Sequence, residues 1–578
     1  MGSFRLKVTT AGEGVKVTRV SGWAGSKSFF ALSVLGSCIW ISRPVIFALD
    51  PHQVGFRIMS AVSATYIPRL RALRLPRVCV AVTGTDAAEM GEKAEALARD
   101  NPFLEFRLDY LKRPALALPR IRRILEIYPG TVLIATCRRA ANGGKFRGSL
   151  ASQLDVLLKA ADAGCQIVDL EYQSAAKSRP QQLQKLRSHA ALILSFHDFR
   201  GTKKLDETLE KMLTIPADFY KIVGTATTLS DNVTMMKFLG RESDKHSLVG
   251  LCMGELGIIS RVLGVRAGSA FTFASVTPGE ETAPGQATAR ELRDVYRIDQ
   301  VDPATRVYGV VGDPVAHSLS PAIMNAAFRR ENVNAVYLAL HTKALKDLLT
   351  CVRDIPLHGL SITMPYKESI IQYLDNADSH TERTGACNTV VRAQDGKLYG
   401  FNTDVAGVVR PLERRLNTLE NARILVLGAG GAARAAVFGL KERGCEVYIL
   451  NRSVAAAQKL ARQARARVMK RADLKKLAFD VIINATPIGM NNSRDTPLSD
   501  KEINARYVFD MVYDPPETRF MKLARERGAQ IIPGIEMFVH QAARQFEIWT
   551  GKPAPWDEML RVVLLAQQER ARASAAKN

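Results

Sequence analysis

Two lysines, each set among polar residues that interrupt apolar runs, mark where this chain could do chemistry. Lys221 sits between Tyr220 and Ile222 in DFYKIVGTA, residues 218–226. An ammonium among apolar neighbours is partly desolvated; desolvation lowers a lysine pKa and yields the neutral amine that attacks a ketone to form an imine. The competing reading is a lysine paired with Glu171 for structural reasons. His197, one apolar run earlier in ALILSFHDF, supplies an acid/base group. Further polar residues close other runs: Glu105 and Arg107 in FLEFRLDYL, Arg138 in TVLIATCR, Asp169 and Glu171 in IVDLEYQ, Arg261 after SLVGLCMG, and Thr282 and Gln286 in ETAPGQ. Packing alone does not explain so many, and an arginine fork suits a carboxylate.

The second lysine, Lys367, lies in SITMPYKE at 361–368, and Asp404 in FNTD at 401–404 is its expected charged partner. Thr363 and, in CNTV, Asn388 also sit just beyond apolar runs. Ser318 and Ser320 follow another run in GDPVAHSLSP; two hydroxyls at this spacing either bind a carboxylate or cap a helix beginning at Pro321. Further on, ILVLGAGGAARAAVFGLKERGCEVYILNRS spans 424–453. It reads as strand, glycine turn, helix and strand, the order of a dinucleotide-binding unit. Gly428 makes the turn, Gly430 admits the pyrophosphate, and Ala433 packs helix on sheet. Gly431 and Ala432 open the helix whose N-terminus faces the phosphates. An NAD site places an acid after the second strand. Here stand Asn451, Arg452 and Ser453. A guanidinium holds a 2′-phosphate that a carboxylate would repel, so NADP is predicted. The alternative is that Arg452 is only a solvated surface residue.

These residues need positioning. Eight apolar runs recur between 77 and 276, with helical patterns such as 87–99, 116–127, 150–163 and 205–213 between them. Eight strands alternating with helices over about 200 residues predict a (β/α)8 barrel at 76–296, with chemistry at the C-terminal strand ends. A doubly wound open sheet is the alternative. A linker is expected at 297–305, a substrate domain at 306–402, a Rossmann domain at 403–533, and C-terminal helices at 534–578 folding back on the substrate domain. The cleft between the two domains would close on ligand. The expected class is thus α/β: a barrel followed by a two-domain nucleotide-dependent unit.

The 578 residues exceed one ordinary core, and 47% hydrophobic content suits a globular protein. Eight scattered cysteines lack C-x-x-C, which points to a reducing compartment with neither disulfide framework nor metal site. The formal charge of +23 fits anionic substrates and a phosphorylated cofactor; no nucleic-acid motif accompanies it. Residues 1–75 carry ten basic residues against two acids. Their apolar patch at 29–41 is too short to span a membrane. The segment reads as a transit peptide, a secretory signal, or a disordered extension with translation starting near Met59, the last being preferred. Cytoplasmic location follows, or a plastid if it is a transit peptide.

The first region resembles type I 3-dehydroquinate dehydratase: EFRLD at 105–109, TCRR at 136–139, VDLE at 168–171, FHDF at 196–199, the run with Lys221, ISR at 259–261 and APGQ at 283–286. The resemblance implies that Lys221 forms the imine and that His197 removes the C2 proton and returns a proton to the departing hydroxyl. It implies that Glu105, Arg107, Arg138, Arg261, Thr282 and Gln286 hold the substrate's carboxylate and hydroxyls. One departure stands out: Asn142 precedes Gly143-Gly144 where the family has a glutamate that orients the histidine. Thr282 replaces the usual serine and keeps the hydroxyl.

The second region resembles shikimate dehydrogenase. This implies that Ser318 and Ser320 bind the carboxylate, and that Thr363, Asn388, Asp404 and Gln541 (in GIEMFVHQAA) bind hydroxyls. Lys367 would be the catalytic lysine, and Thr486 (in NATPIGM), Tyr513 and Gly534 would line the nicotinamide side. Retention of both serines favours shikimate over quinate. Together the resemblances imply an enzyme that converts 3-dehydroquinate to shikimate with NADPH. Its rivals are a catabolic NAD-dependent dehydrogenase, a regulatory protein built from degenerate domains, and an enzyme whose dehydratase is dead because of Asn142.

Overall fold

The computed structural model describes residues 75–575, apart from 316, 317, 356, 491 and 493, together with short strands among the first 40 residues. Those strands form two antiparallel pairs, Val8–Thr10 with Val15–Val17 and Ala31–Val34 with Ser37–Trp40. The expectations of an extension, a transit peptide or a late start over 1–75 otherwise lie outside the described residues.

The apolar runs become eight parallel strands: β1 (Val78–Val82), β2 (Phe103–Arg107), β3 (Val132–Thr136), β4 (Ile167–Glu171), β5 (Ala191–His197), β6 (Phe219–Thr225), β7 (Leu248–Met253) and β8 (Thr272–Ala274). The ladders join β1 to β7 in chain order, and β8 returns to pair with β1 at Thr272↔Val78. That return makes a nearly closed barrel instead of an open doubly wound sheet. Successive side chains alternate between the two faces of a strand. Outward residues such as Val78, Val80, Tyr220 and Ile222 join the core under the helices. Inward residues such as Cys79, Phe103, Ile167, Ile193 and Val223 fill the barrel. Counting by twos from these, Glu105, Arg107, Thr136, Asp169, Glu171, Ser195, His197 and Lys221 all fall on the inward set. The interior is therefore apolar at one end and charged at the other.

Residues 297–305 do not run as a free linker. Ile298–Gln300 forms a 3-10 turn, Ile298 and Val301 are buried in the barrel-side core, and Arg266 donates to the Thr305 carbonyl at 2.9 Å. The next sheet has six strands: β9 (Arg306–Gly312), β10 (Ala335–His341), β11 (Leu357–Ile362), β12 (Asn376–Ala377), β13 (Thr389–Arg392) and β14 (Leu398–Phe401), in the order β10-β9-β11-β13-β14-β12. Its core is continuous with that of the barrel helices. Helix α1 (Leu229–Glu242) of the barrel meets α2 (Leu345–Asp354) of this domain. Asp347 accepts from the Leu229 amide at 2.8 Å and the Ser230 hydroxyl at 2.6 Å, satisfying the open N-terminus of α1. Lys237 and Asp354 add an ion pair at 2.9 Å.

A third sheet, all parallel, comprises β15 (Arg423–Leu427), β16 (Glu446–Leu450), β17 (Arg467–Val468), β18 (Phe479–Asn484), β19 (Ala505–Asp510) and β20 (Gln530–Pro533). Its order, β17-β16-β15-β18-β19-β20, reverses beside β15, as in a dinucleotide fold. Between the second and third sheets runs α3 (Asp404–Glu413), and α4 (Gly431–Glu442) follows β15. Helix α5 (Gly534–Thr550) then returns to the second sheet, followed by α6 (Trp556–Ala575). Trp549 of α5 packs 5.1 Å from the Tyr308 ring, and its buried indole N–H finds the Val390 carbonyl at 3.1 Å. Among the described residues no helix is long and apolar enough to cross a membrane.

Candidate active sites

At the charged end of the barrel a cavity of about 250 Å³ is lined by Glu105, Arg107, Arg138, Asn142, His197, Lys221, Arg261, Thr282 and Gln286, with Phe273 beneath. Eight of the ten barrel residues singled out in the sequence thus meet in one place; Asp169 and Glu171 do not line the cavity. Lys221 is 5% exposed. Its Nζ lies 3.0 Å from Asp169 Oδ2 and 3.6 Å above the Phe273 ring centre. The alternative partner, Glu171, is engaged elsewhere: it accepts from the Arg139 amide at 2.6 Å and from Gln153 Nε2 at 2.5 Å. Asp169 was visible at a strand end but carried no assigned role, and it proves to be the hub. Its carboxylate also accepts from Arg138 Nη2 at 2.9 Å and from the Ser195 hydroxyl at 2.6 Å. Burial alone would raise its pKa, but the Arg138 guanidinium and the Lys221 ammonium outweigh that and, with Ser195, hold the carboxyl well below its usual range.

His197 Nδ1 lies 3.0 Å from Arg138 Nη1. A guanidinium only donates, so Nδ1 accepts and the neutral ring carries its proton on Nε2. Desolvation first, and then the nearby cations Arg138 and Lys221, push the imidazole well below its ordinary pKa. His197 is therefore neutral at pH 7, and an arginine occupies its Nδ1. Asn142 closes a 3-10 turn at the cavity rim. Gly143 follows at φ +80°, where a Cβ would run into the Phe199 ring.

The remaining groups differ in how far they are committed. Arg107 forms a two-pronged pair with Asp109, both bonds at 2.9 Å. Glu105 accepts from Thr136 Oγ1 at 2.6 Å. Gln286 Oε1 accepts from the Thr282 amide at 2.7 Å and hydroxyl at 3.1 Å. Arg261 stands apart. It is 1% exposed, its Nε has no protein partner, and its one hydrogen bond is a long 3.5 Å contact to the Pro284 carbonyl. Burial pushes it down to about 10. A buried cation without an anion is costly unless one arrives.

In the second region β9 and β11 are neighbours. The loop carrying Ser318 and Ser320 and the turn carrying Thr363 and Lys367 therefore leave the sheet at the same edge. Lys367 Nζ lies 2.5 Å from Asp404 Oδ2. Asp404 Oδ1 accepts from Asn388 Nδ2 at 2.8 Å, and Asn388 lies 3.5 Å from Gln541 Oε1. Asp404, at the start of α3, is thus fixed on one side by the sheet and presents Lys367 on the other. Ser318 Oγ takes the Ser320 amide at 3.2 Å, so part of the capping alternative is realised.

The glycine turn adjoins this pair: a Cβ at Gly431 would lie 3.5 Å from Lys367 Cδ. Gly428 is at φ +115°, a conformation that suits glycine, and a Cβ there would press to 3.1 Å on the Ala485 carbonyl and 3.3 Å on Thr486 Cγ2. A Cβ at Gly430 would meet nothing within 4 Å, so the backbone is open to a ligand. Ala432 and Ala433 continue α4, with Ala433 fully buried against the sheet. At the end of β16, Asn451 donates to the Ser453 carbonyl at 3.0 Å and Ser453 caps the next helix through the Ala456 amide at 3.3 Å. Arg452 is exposed and forms no ion pair among the described residues. The Tyr513 ring stacks 4.8 Å from Phe538, and Gly534 opens α5 where a Cβ would meet the Met511 and Val512 carbonyls at 2.6 Å.

Comparison with known proteins follows this division. The type I 3-dehydroquinase model matches residues 78–303. The shikimate dehydrogenase substrate-binding domain matches 310–390, the shikimate/quinate 5-dehydrogenase model 411–509, and the shikimate 5′-dehydrogenase C-terminal domain 534–564. The bifunctional 3-dehydroquinate dehydratase/shikimate dehydrogenase, chloroplastic, of Arabidopsis thaliana is 35% identical over 486 residues, covering 80% of this chain and 79% of its own. The shikimate dehydrogenase (NADP(+)) of Nitrosopumilus maritimus is 39% identical, covering 45% of this chain and 98% of its own. The shikimate biosynthesis protein AroDE of Chlamydia pneumoniae is 31% identical, covering 65% and 77%. The chain belongs to the family of bifunctional 3-dehydroquinate dehydratase/shikimate dehydrogenases.

Proposed function

We propose that the barrel dehydrates 3-dehydroquinate through an imine on Lys221 and that the following domains reduce the product, 3-dehydroshikimate, to shikimate with NADPH. One observation carries the first step: Lys221 and the buried Arg261 guanidinium, which has no carboxylate partner among the described residues, share a 250 Å³ cavity. A cyclic keto acid offers a ketone to one and a carboxylate to the other. Lys221 gives up one proton to react as the amine; after it adds to the ketone, that proton leaves with the carbinolamine hydroxyl as water, and an iminium remains. Asp169, 3.0 Å away, then faces a cation as before. His197 removes the C2 proton, the C–H electrons pass into the iminium, and the enamine so formed expels the neighbouring hydroxyl as it takes the proton from His197. Water hydrolyses the new imine and frees Lys221. Arg107, Arg138, Glu105, Thr282 and Gln286 hold the ring.

The glycine turn at 428–433 and the exposed Arg452 suit NADPH, which supplies the hydride when bound. Lys367, held by Asp404 at 2.5 Å, donates a proton to the developing alkoxide. Ser318 and Ser320 take the carboxylate, and Thr363, Asn388 and Gln541 the hydroxyls. Asn451, Arg452 and Ser453 face the adenosine phosphate, and Thr486, Tyr513 and Gly534 the nicotinamide end. Lys221, His197, Lys367 and Asp404 are all present, which argues against a degenerate regulatory protein, and rates with NADP against NAD separate the biosynthetic from the catabolic reading. The seven described cysteines are free and buried, which supports a reducing compartment, proposed as the cytoplasm; an N-terminal peptide map distinguishes this from a plastid.

Borohydride reduction in the presence of 3-dehydroquinate, followed by peptide mass spectrometry, tests the imine. A stable adduct on Lys221 is expected. Absence of the adduct together with full dehydratase turnover in Lys221→Ala removes the assignment.

A further inference from the structure

Outside both sites, a cavity of about 370 Å³ opens between the C-terminal end of α3, helix α5 and the start of α6. Helix α5 separates it from the reductase site. His540, Ala543 and Glu547 line the cavity on one face, while Gln541 and Gln545 point to Asn388 on another. His540 is 2% exposed, yet neither ring nitrogen has a protein partner; the same holds for the buried indole nitrogen of Trp556. The two rings stand 5.5 Å apart. Three unsatisfied polar atoms at one place are costly unless something pairs with them.

The charges around them point one way. Of the rim carboxylates, Glu413 is paired with Arg443 at 3.0 Å and Glu547 with Arg544 at 3.1 Å. Arg410 reaches Glu547 only at 3.9 Å. Arg414 lies over the Trp556 ring, 4.8 Å from its centre, and has no carboxylate partner among the described residues. Burial, then Arg414, Arg410 and Arg415, push His540 down to about 4, so the ring is neutral and offers one donor and one acceptor. Guanidinium, indole N–H and imidazole N–H together match the oxygens of a carboxylate. Ala543, Ala554 and the indole supply an apolar wall for a short hydrocarbon body.

We propose that this cavity is a second ligand site, taking a small carboxylate with an apolar ring or chain. Benzoate is the probe and inorganic phosphate the comparison. Calorimetric titration of the full-length protein with benzoate should show one saturable site, with weaker binding of phosphate, which cannot use the apolar wall. Arg414→Ala should weaken benzoate by about tenfold or more. Ala554→Leu, which fills the cavity and keeps its charges, should do the same, and unfolding midpoints report whether each variant is folded. Benzoate should quench tryptophan fluorescence in the native chain and not in Trp556→Phe. Unchanged benzoate affinity in folded Arg414→Ala or Ala554→Leu, displacement of benzoate by shikimate, or phosphate binding as tight as benzoate would each overturn the proposal.

Discussion

Replacing Asp169 by asparagine keeps the shape of the barrel hub and removes its charge. The carboxylate makes three bonds in the native chain, to Arg138 at 2.9 Å, Lys221 at 3.0 Å and Ser195 at 2.6 Å. At about 4 Å and an effective dielectric of about 20, one such charge pair is worth about 4 kcal/mol before desolvation is subtracted. Removing one partner of a buried pair typically costs about 3–5 kcal/mol, because the other charge stays buried and uncompensated. Here two cations lose the same partner, and both face the reacting ring. Asparagine can still accept one hydrogen bond and donate another, but its amide would point a donor at Arg138 or Lys221. If about 3 kcal/mol of this loss appears in the transition state, dehydratase kcat falls about a hundredfold. The reductase in the same polypeptide serves as the internal control and should keep its rate. The assay is absorbance of the conjugated product for the first activity and of NADPH for the second, on one preparation. Dehydratase kcat within about threefold of the native value, in a folded protein, would show that Asp169 is not the hub of the site.

Lys367→Ala should lower hydride transfer by about 10²–10⁴, the range for a lost general acid, with NADP binding measured by calorimetry unchanged; loss of binding instead would mean the lysine serves the cofactor. Arg452→Ala should raise KM for NADP by about tenfold or more and leave NAD nearly unaffected; equal effects on both would remove the 2′-phosphate contact. His540 titrates in the unfolded chain near 6.5 and in the native chain at about 4, so the unfolded chain binds the extra proton between these values. Stability should therefore fall as pH drops from about 6.5 towards 4, and denaturation midpoints of His540→Gln should show a shallower slope over that window. An identical slope would mean that the ring titrates normally in the fold.

The barrel was readable because an apolar run followed by a helical pattern, repeated along some 200 residues until eight runs are counted, is a long signal. The partner of Lys221 was not. Along the ladders Lys221 stands level with Ser195, and Ser195 with Glu171, so Glu171 was the partner a linear reading offered. Strands in a closed barrel are tilted and staggered, and side chains from alternate strands meet in layers across the axis. The stagger carries Lys221 past Glu171 to Asp169, two residues lower on the same inward face. Gln153, on a neighbouring helix, completes the choice by taking Glu171. No single segment contains that information. Ser453 is the opposite case. A serine just before an alanine-rich helix is a capping signal, and the structure uses it so; the signal was overshadowed by the nucleotide motif in which it sits. Arg261 was singled out by a motif, but its lack of a carboxylate partner depends on what the fold leaves out of reach.

The docking of α1 against α2 bears on how the proposed closure of the reductase cleft would run. Asp347 holds the end of a barrel helix, and the core beneath it is shared by both regions. The substrate domain is therefore anchored to a mass of more than two hundred residues. When two bodies hinge, the lighter and less anchored one travels. Here that is the nucleotide domain, which joins the rest through the chain leading into Asp404 and the chain leaving Pro533. On the proposed closure, the substrate's binding groups would stay still relative to the barrel and the cofactor would be carried to them, so the barrel would act as ballast for the second reaction as well as the site of the first.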